Sequence, residues 1–262
     1  RWSRARCTEG GQASSPHCAY DVDASSHSPH DNSPHGPRVI EFRDVSHSFD
    51  GRRVLSDVSV DLPERRIGIV GANGSGKSTL ARMINALVVP DTGTVVVDGL
   101  DASKEKRRVR RRVGFIFSDP DRQIIMPTVR EDIELSLTRT DLNKAERRER
   151  AMSVLDRFGL ADHADQPASR LSGGQKQLLA LAAVFVTEPS IIVADEPTTL
   201  LDLRNSRMLR RVFADLDVQL VVVTHDLDLV DDFERVLVID DGVITVDDVP
   251  GVALPAYREA MA

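Results

Sequence analysis

From position 39 onward the chain is built of short apolar runs separated by polar, helix-like stretches. The β-rich runs "VIEFRDVSHSF", "RVLSDVSVDL" and "RRIGIVG" come first. Helical patterns then alternate with buried strands: "VGFIF", "SIIVAD", "QLVVVTHD" and "RVLVIDDG". Apolar strands alternating with helices predict an α/β fold with a largely parallel sheet. Residues of about 128–170, beginning "TVREDIELSL", differ: helical periodicity, many charges and no strand predict a helical insert. The domain is expected over 38–262, and no internal repeat is apparent.

Residues 1–37 stand apart. They are rich in Ser, Pro, Gly and His and hold few large apolar residues, so they cannot offset the entropy of ordering and are expected to be disordered. Four of the seven histidines fall here, His17, His27, His30 and His35. Their irregular spacing favours disorder over a metal-binding tract. The chain begins without Met and a clean domain starts at "VIEF". A further expectation is therefore a GTG start at Val39, with residues upstream being non-native.

Composition narrows the function. The 34 Lys and Arg against 41 Asp and Glu give a net charge of −7, which argues against a general nucleic-acid binder. The two cysteines, Cys7 and Cys18, provide no disulfide framework and no sign of secretion. No apolar run approaches the ~20 residues needed to span a bilayer. A membrane role would come through a partner.

The strongest chemical signal is "GIVGANGSGKSTLARMINAL". Gly71, Ala72, Asn73, Gly74, Ser75, Gly76, Lys77 and Ser78, with Thr79 following, satisfy the phosphate-loop pattern between an apolar strand and an amphipathic helix. The glycines let backbone N–H groups curl around phosphate oxygens, and the helix dipole adds to the attraction. Lys77 is expected to reach the β- and γ-phosphates of a nucleotide, and Ser78 to ligate Mg²⁺. A chance glycine-rich turn would lack this flanking strand and helix. "SIIVADEPTTLLD" puts Asp195 and Glu196 at the end of a buried strand, the edge where open α/β sheets bind ligands. Neighbours on a strand point oppositely, so Asp195 is assigned to the metal and Glu196 to the attacking water. Ser172, Gly173, Gly174 and Gln175, in "RLSGGQKQLLALAAVFV", open a long apolar helix and form a second anion grip. Two phosphate grips with one carboxylate pair suggest a site shared between chains.

"LSGGQ" between a phosphate loop and an "hhhhDE" strand resembles the ATPase domain of ABC transporters over essentially all of 39–262. The resemblance implies a RecA-like parallel core, an antiparallel β subdomain and a helical insert. It implies ATP and Mg²⁺ as ligands and a head-to-tail dimer in which each ATP lies between the phosphate loop of one chain and "LSGGQ" of the other. By matching position, Phe49 would stack on adenine, Leu201 and Asp202 form the D-loop, and His225 contacts the γ-phosphate. Where the family carries glutamine, this chain has Ser118; its hydroxyl would reach Mg²⁺ through water. Gln123, five residues on, is not given that role.

"FSDPDRQIIMPTV" and "DEPTTLLDLRN" resemble a narrower group, the ATPases of energy-coupling factor (ECF) transporters, most closely the biotin type. That resemblance implies an ATP-hydrolysing subunit of an importer for a vitamin, biotin favoured, or a metal ion. It would sit peripherally on the cytoplasmic face of the membrane, as a homodimer with a transmembrane coupling subunit and a substrate-binding membrane subunit. Ile124, Ile125 and Met126 are expected either to cover a coupling helix or to pack on the helical insert. The basic run "KEKRRVRRR" reads as a solvated helix face or as a contact for anionic lipid. Two other classes are weighed. Soluble ABC ATPases of translation or DNA repair usually carry fused domains or long coiled coils, which are lacking here. A non-hydrolysing ATP-gated clamp conflicts with the presence of Lys77, Ser172 and Glu196.

Overall fold

The computed structural model describes residues 39–261; the expectations for residues 1–37 lie outside them. An antiparallel sheet is formed by β1 (Ile40–Phe49), β2 (Arg52–Leu62), β4 (Thr92–Val97) and β5 (Leu100–Asp101), in the order β2-β1-β4-β5. Its central strand pairs Ile40 with Leu62 on one side and with Val97 on the other. The larger sheet has the order β10-β9-β3-β8-β7-β6. Here β3 (Arg66–Val70), β6 (Val113–Ile116), β7 (Ile191–Asp195), β8 (Gln219–Val223) and β9 (Arg235–Asp240) run parallel. β10 (Val243–Asp248) closes one edge antiparallel to β9.

Every residue of β7 and β8 is buried, as a parallel sheet covered on both faces requires. Alternate side chains enter different cores. Ile191, Val193, Val221 and Val223 join the cluster shared with the antiparallel sheet and α1 (Lys77–Ile84). Ile192, Ala194, Leu220 and Val222 join the cluster covered by α5 (Gly173–Phe185) and α6 (Leu203–Ala214). The β9–β10 turn fastens the two sheets together. Ser56 N–H donates to Gly242 O (2.9 Å), and Gly242 N–H donates to Ser75 O (3.1 Å) in the phosphate loop.

The basic run forms α2 (Lys106–Arg112). Two of its cations reach back to the fold, Arg110 donating to Ala86 O (2.8 Å) and Arg112 pairing with Asp98 (3.4 Å), while Arg108 pairs with Glu105 at the surface and Lys106, Arg107 and Arg111 are exposed. This is the solvated helix face, tied down at one side. Residues 128–170 hold α3 (Val129–Ser136), α4 (Lys144–Arg157) and two short 3-10 turns. The two ends of this segment meet through a bridge between Thr128 and Pro167 and a bond from Ala168 N–H to Pro127 O (2.8 Å). The helical body extends past 170, because Phe158 packs edge-on against Phe185 of α5 (5.4 Å between centroids). The last helix, α7 (Pro250–Ala260), lies near β9 and β10.

Phe158 is 1 % exposed. Replacing it with alanine removes a ring from a closed site, which typically costs ~3–5 kcal/mol. Urea unfolding of Phe158→Ala is expected to show a loss of that size at unchanged m-value. A loss below about 1 kcal/mol would mean that the helical body does not share the main core.

Candidate functional site

Four neighbouring strands, β3, β8, β7 and β6, end at the same edge of the parallel sheet. They deliver Gly71, Thr224 and His225, Asp195 and Glu196, and Ser118 to that edge. The register holds the endings level: Thr224 N–H donates to Ile69 O (3.1 Å), and Glu196 N–H to Val223 O (2.8 Å). A topological edge of this kind is where open α/β sheets take their ligands.

Between β3 and α1 the phosphate loop turns through three glycines with positive φ, Gly71, Gly74 and Gly76. Two have no alternative. A Cβ on Gly71 would lie 2.0 Å from Ile239 O, and one on Gly76 would lie 2.6 Å from Val54 O. Lys77 is 6 % exposed and its Nζ donates to Ala72 O (2.7 Å), so the ammonium is folded over the loop. Burial pushes its pKa down, while Glu196 and Asp195 pull it up. The loop walls a cleft of about 360 Å³ lined by Arg52, Val54, Asn73, Gly74, Gly76, Lys77, Ser78, Thr79 and Glu196.

Asp195 is the last residue of β7 and is 1 % exposed. Its Oδ1 accepts from Ser78 Oγ (2.8 Å) and its Oδ2 from Arg82 (3.2 Å), so both oxygens are engaged. Glu196 follows in the left-handed region at φ 54°. The expectation that simple strand alternation separates the two carboxylates needs refining, because the strand ends at Asp195 and the backbone kink aims Glu196. Glu196 Oε2 meets His225 Nδ1 (2.7 Å) and the His225 backbone N–H (3.3 Å). Sequence reasoning missed Arg82, Arg52 and Val54. Arg82 was within reach of it, since it stands four residues after Ser78 on the same face of α1.

Ser172 caps α5 with a reciprocal box. Its Oγ accepts from Gln175 N–H (3.3 Å), and Gln175 Oε1 accepts from Ser172 N–H (2.9 Å). Ser172 and Gly173 are exposed, and none of residues 172–175 lines the cleft of their own chain. Asp202 caps α6, accepting from Asn205 N–H (2.8 Å). The segment before it runs beside the signature motif, with Leu200 O 3.3 Å from a Cβ built on Gly174. Phe49 is half exposed at the end of β1, edge-on to His47, and pairs across the turn with the cleft-lining Arg52.

The loop after β6 divides its residues between two tasks. Gln123 donates from Nε2 to Ala180 O (2.8 Å) and accepts at Oε1 from Phe117 N–H (3.4 Å). That glutamine is a clamp between loop and α5, whereas Ser118 holds the strand-end position. Lys176 reaches Asp121 (2.7 Å), and Gln177 Nε2 donates to Phe117 O (3.4 Å). The apolar tip is not uniform. Ile124 packs on the core cluster, Met126 is half-buried and Ile125 is 74 % exposed. Packing on the fold therefore accounts for Ile124, and Ile125 alone stands out into solvent. Asp132 of α3, 3 % exposed, holds the tip by accepting from the N–H groups of Ile125 (2.8 Å) and Met126 (2.9 Å).

A phosphate loop and a buried carboxylate at one edge of a parallel sheet, beside a separate antiparallel sheet, define a P-loop ATPase of the ABC architecture. Residues 55–199 match the family model described as "ABC transporter", and the chain belongs to that family. The biotin transport ATP-binding protein BioM of Rhizobium etli is 45 % identical over 223 residues, covering 85 % of this chain and 99 % of that one. The energy-coupling factor transporter ATP-binding protein EcfA of Methanothermobacter thermautotrophicus is 33 % identical over 231 residues, covering 85 % and 73 %. The dimeric structure of the ATP-binding cassette MJ0796 bound to ADP and Pi aligns with TM-score 0.72 and 29 % identity, over 80 % of this chain and 98 % of that one. The chain is an ATP-hydrolysing ABC ATPase of the energy-coupling factor type, similar to BioM. Among the described residues no helix is long and apolar enough to cross a membrane.

Asp132→Ala strips two backbone donors at the tip of their buried acceptor, which typically costs ~1–3 kcal/mol. Hydrogen exchange of the Ile125 and Met126 amides in this variant is expected to accelerate by at least tenfold, with the phosphate loop unchanged. Equal protection in both proteins would show that the tip is held by Ile124 alone.

Proposed function

We propose that this chain powers import of a vitamin, biotin favoured over a metal ion, by binding and hydrolysing ATP in a head-to-tail homodimer. The dimer would lie on the cytoplasmic face of the cell membrane, against a transmembrane coupling subunit and a substrate-binding membrane subunit. The observation that carries the dimer is the separation of the two grips. The phosphate loop lines the cleft, while at the start of α5 Ser172 and Gly173 are exposed, Gly174 and Gln175 are partly so, and none of the four lines that cleft. A second copy bringing its α5 N-terminus to the cleft completes the phosphate cage. The dimeric MJ0796 cassette supports this reading, and the name of BioM supports biotin. Transport relatives disfavour the translation and DNA-repair alternative.

Within the cleft the roles follow from position. Gly71, Ala72, Asn73, Gly74, Ser75, Gly76 and Thr79 present the loop and helix N-terminus to the phosphates, and Lys77 leaves Ala72 O for the β- and γ-oxygens. Phe49 offers its exposed ring to the base, beside Arg52. The hydroxyl of Ser78 and the carboxylate of Asp195, 2.8 Å apart, are hard oxygen donors that fit Mg²⁺, with Ser118 near the same edge. Mg²⁺ supplies neutralisation of charge on the β- and γ-phosphates. Glu196 accepts a proton from the attacking water as its oxygen bonds the γ-phosphorus and the bond to the ADP oxygen breaks. Glu196 has His225 as its neighbour at 2.7 Å; with nucleotide bound, the imidazole contacts the γ-phosphate. Asp202, at the start of α6, places the D-loop alongside the signature motif.

Removing a preorganised catalytic group typically costs ~10²–10³ in kcat. Glu196→Gln is expected to lose hydrolysis to that degree, retain ATP binding and accumulate as an ATP-bound dimer in light scattering. In the same background Ser172→Arg is expected to remain monomeric while still binding a fluorescent ATP analogue. Dimers of normal affinity in the double variant would overturn the shared site.

Ile125 would anchor the coupling subunit, flanked by Met126, while Ile124 secures the loop from within. Truncating an apolar interface anchor typically costs ~1–3 kcal/mol of binding. Ile125→Ser is expected to cut co-purification with the membrane subunits and vitamin uptake by about tenfold, with basal ATPase within twofold of wild type. Normal co-purification would remove Ile125 from the interface.

A further inference from the structure

The signature motif does not end at Gln175. Ser172 N–H is an obligate donor, so the oxygen of the Gln175 amide faces it, at 2.9 Å. The amide nitrogen is therefore the end that points at His163 Nε2, 3.0 Å away. An amide NH₂ can only donate, so His163 Nε2 must present its lone pair. The ring proton then sits on Nδ1, which lies 3.2 Å from Gln166 Oε1, an acceptor. Each of these three side-chain contacts thus joins a donor to an acceptor, and only one arrangement of amides and ring protons achieves it. Gln166 is itself held, its N–H donating to His163 O (3.0 Å) and its carbonyl accepting from Val129 N–H (3.2 Å).

We infer that His163, at the end of the 3-10 turn 161–163, is a positioning residue for the signature motif: it locks the Gln175 amide so that Ser172 presents its hydroxyl proton outward. The link to Ser172 is the capping box. Ser172 Oγ accepts from Gln175 N–H, which occupies a lone pair and leaves the O–H free to donate. A hydroxyl so oriented on an exposed helix N-terminus suits an anionic oxygen brought by a second copy. Without the acceptor at His163, the Gln175 side chain has only Ser172 N–H to hold it, and the reciprocal arm of the box loosens. This inference rests on the shared site proposed above. It assigns His163 no contact with nucleotide.

The test uses the full chain carrying Glu196→Gln, so that ATP drives dimerisation without turnover. His163→Leu removes the acceptor at similar bulk. Losing one such hydrogen bond is expected to raise the ATP concentration for half-dimerisation about 3–10-fold. Affinity of the monomer for a fluorescent ATP analogue should be unchanged, because the cleft of the same chain is not touched. His163→Gln returns an acceptor oxygen at the reach of the ring Nε2 and should restore dimerisation to within twofold. A mere packing role would make the glutamine variant at least as poor as the leucine variant, and that result overturns the inference. So does normal dimerisation of His163→Leu while Ser172→Arg blocks it. If Ser172→Arg dimerises normally, the shared site itself fails and the role of His163 falls with it.

Discussion

The contact between Ser78 and Asp195 is the constraint on which the site depends. It joins the first turn of α1 to the last residue of β7, across 117 residues of chain. Asp195 is fully enclosed, and a buried carboxylate is tolerated only when its oxygens are satisfied. Ser78 satisfies one and Arg82 the other. That requirement sets the rotation of α1 relative to the sheet, and hence where Lys77 and Thr79 emerge. The β7–β8 register, Asp195 against Val223, carries the same constraint to the strand that leads into Thr224 and His225. The oxygens that suit a cation are thus held together by the demands of burial.

The loop after β6 shows how one segment serves two surfaces. On its inner side Gln123, Phe117 and Asp121 are bonded to Ala180, Gln177 and Lys176 of α5. On its outer side Ile125 projects, with Asp132 pinning the backbone behind it. The helix that receives these bonds begins at Ser172. The loop that carries Ile125 is thus hydrogen-bonded to the helix that opens with Ser172. Two of the three ties, at Lys176 and Gln177, lie within five residues of Ser172.

What the sequence reveals follows the range of the physics involved. The phosphate loop is legible because its requirements are local: Gly71, Gly74 and Gly76 all take a positive φ that glycine adopts freely. The parallel strands are legible because burial on both faces leaves uninterrupted apolar runs such as 220–223. The fate of Ile124, Ile125 and Met126 was not legible, since three consecutive apolar residues carry no statement of which one faces the core. His163 was missed for a different reason. Its partner, Gln175, lies on another element, and a side chain's partner across the fold leaves no periodic trace. For the basic stretch 104–112, composition pointed to a solvated face, and Lys106, Arg107 and Arg111 are exposed; it carried no trace of which cations would also be tied down, as Arg110 is at Ala86 O and Arg112 at Asp98.

The position of Glu196 illustrates why function and regularity part at one residue. A glutamate at φ 54° lies in a region that costs an L-residue roughly 1–2 kcal/mol. Continuing β7 by one residue would have avoided that cost and sent the side chain to the face opposite Asp195, into the packed layers. The kink turns it along the sheet edge, where it borders the phosphate-loop cleft and meets His225. The strained backbone is held from both directions: its N–H is bound by Val223 O, and its carboxylate by the ring and backbone N–H of His225. Strain at such a place persists because the surrounding contacts over-determine it. A side chain fixed in this way needs little reorganisation, and that preorganisation is what the general-base role proposed for Glu196 would require.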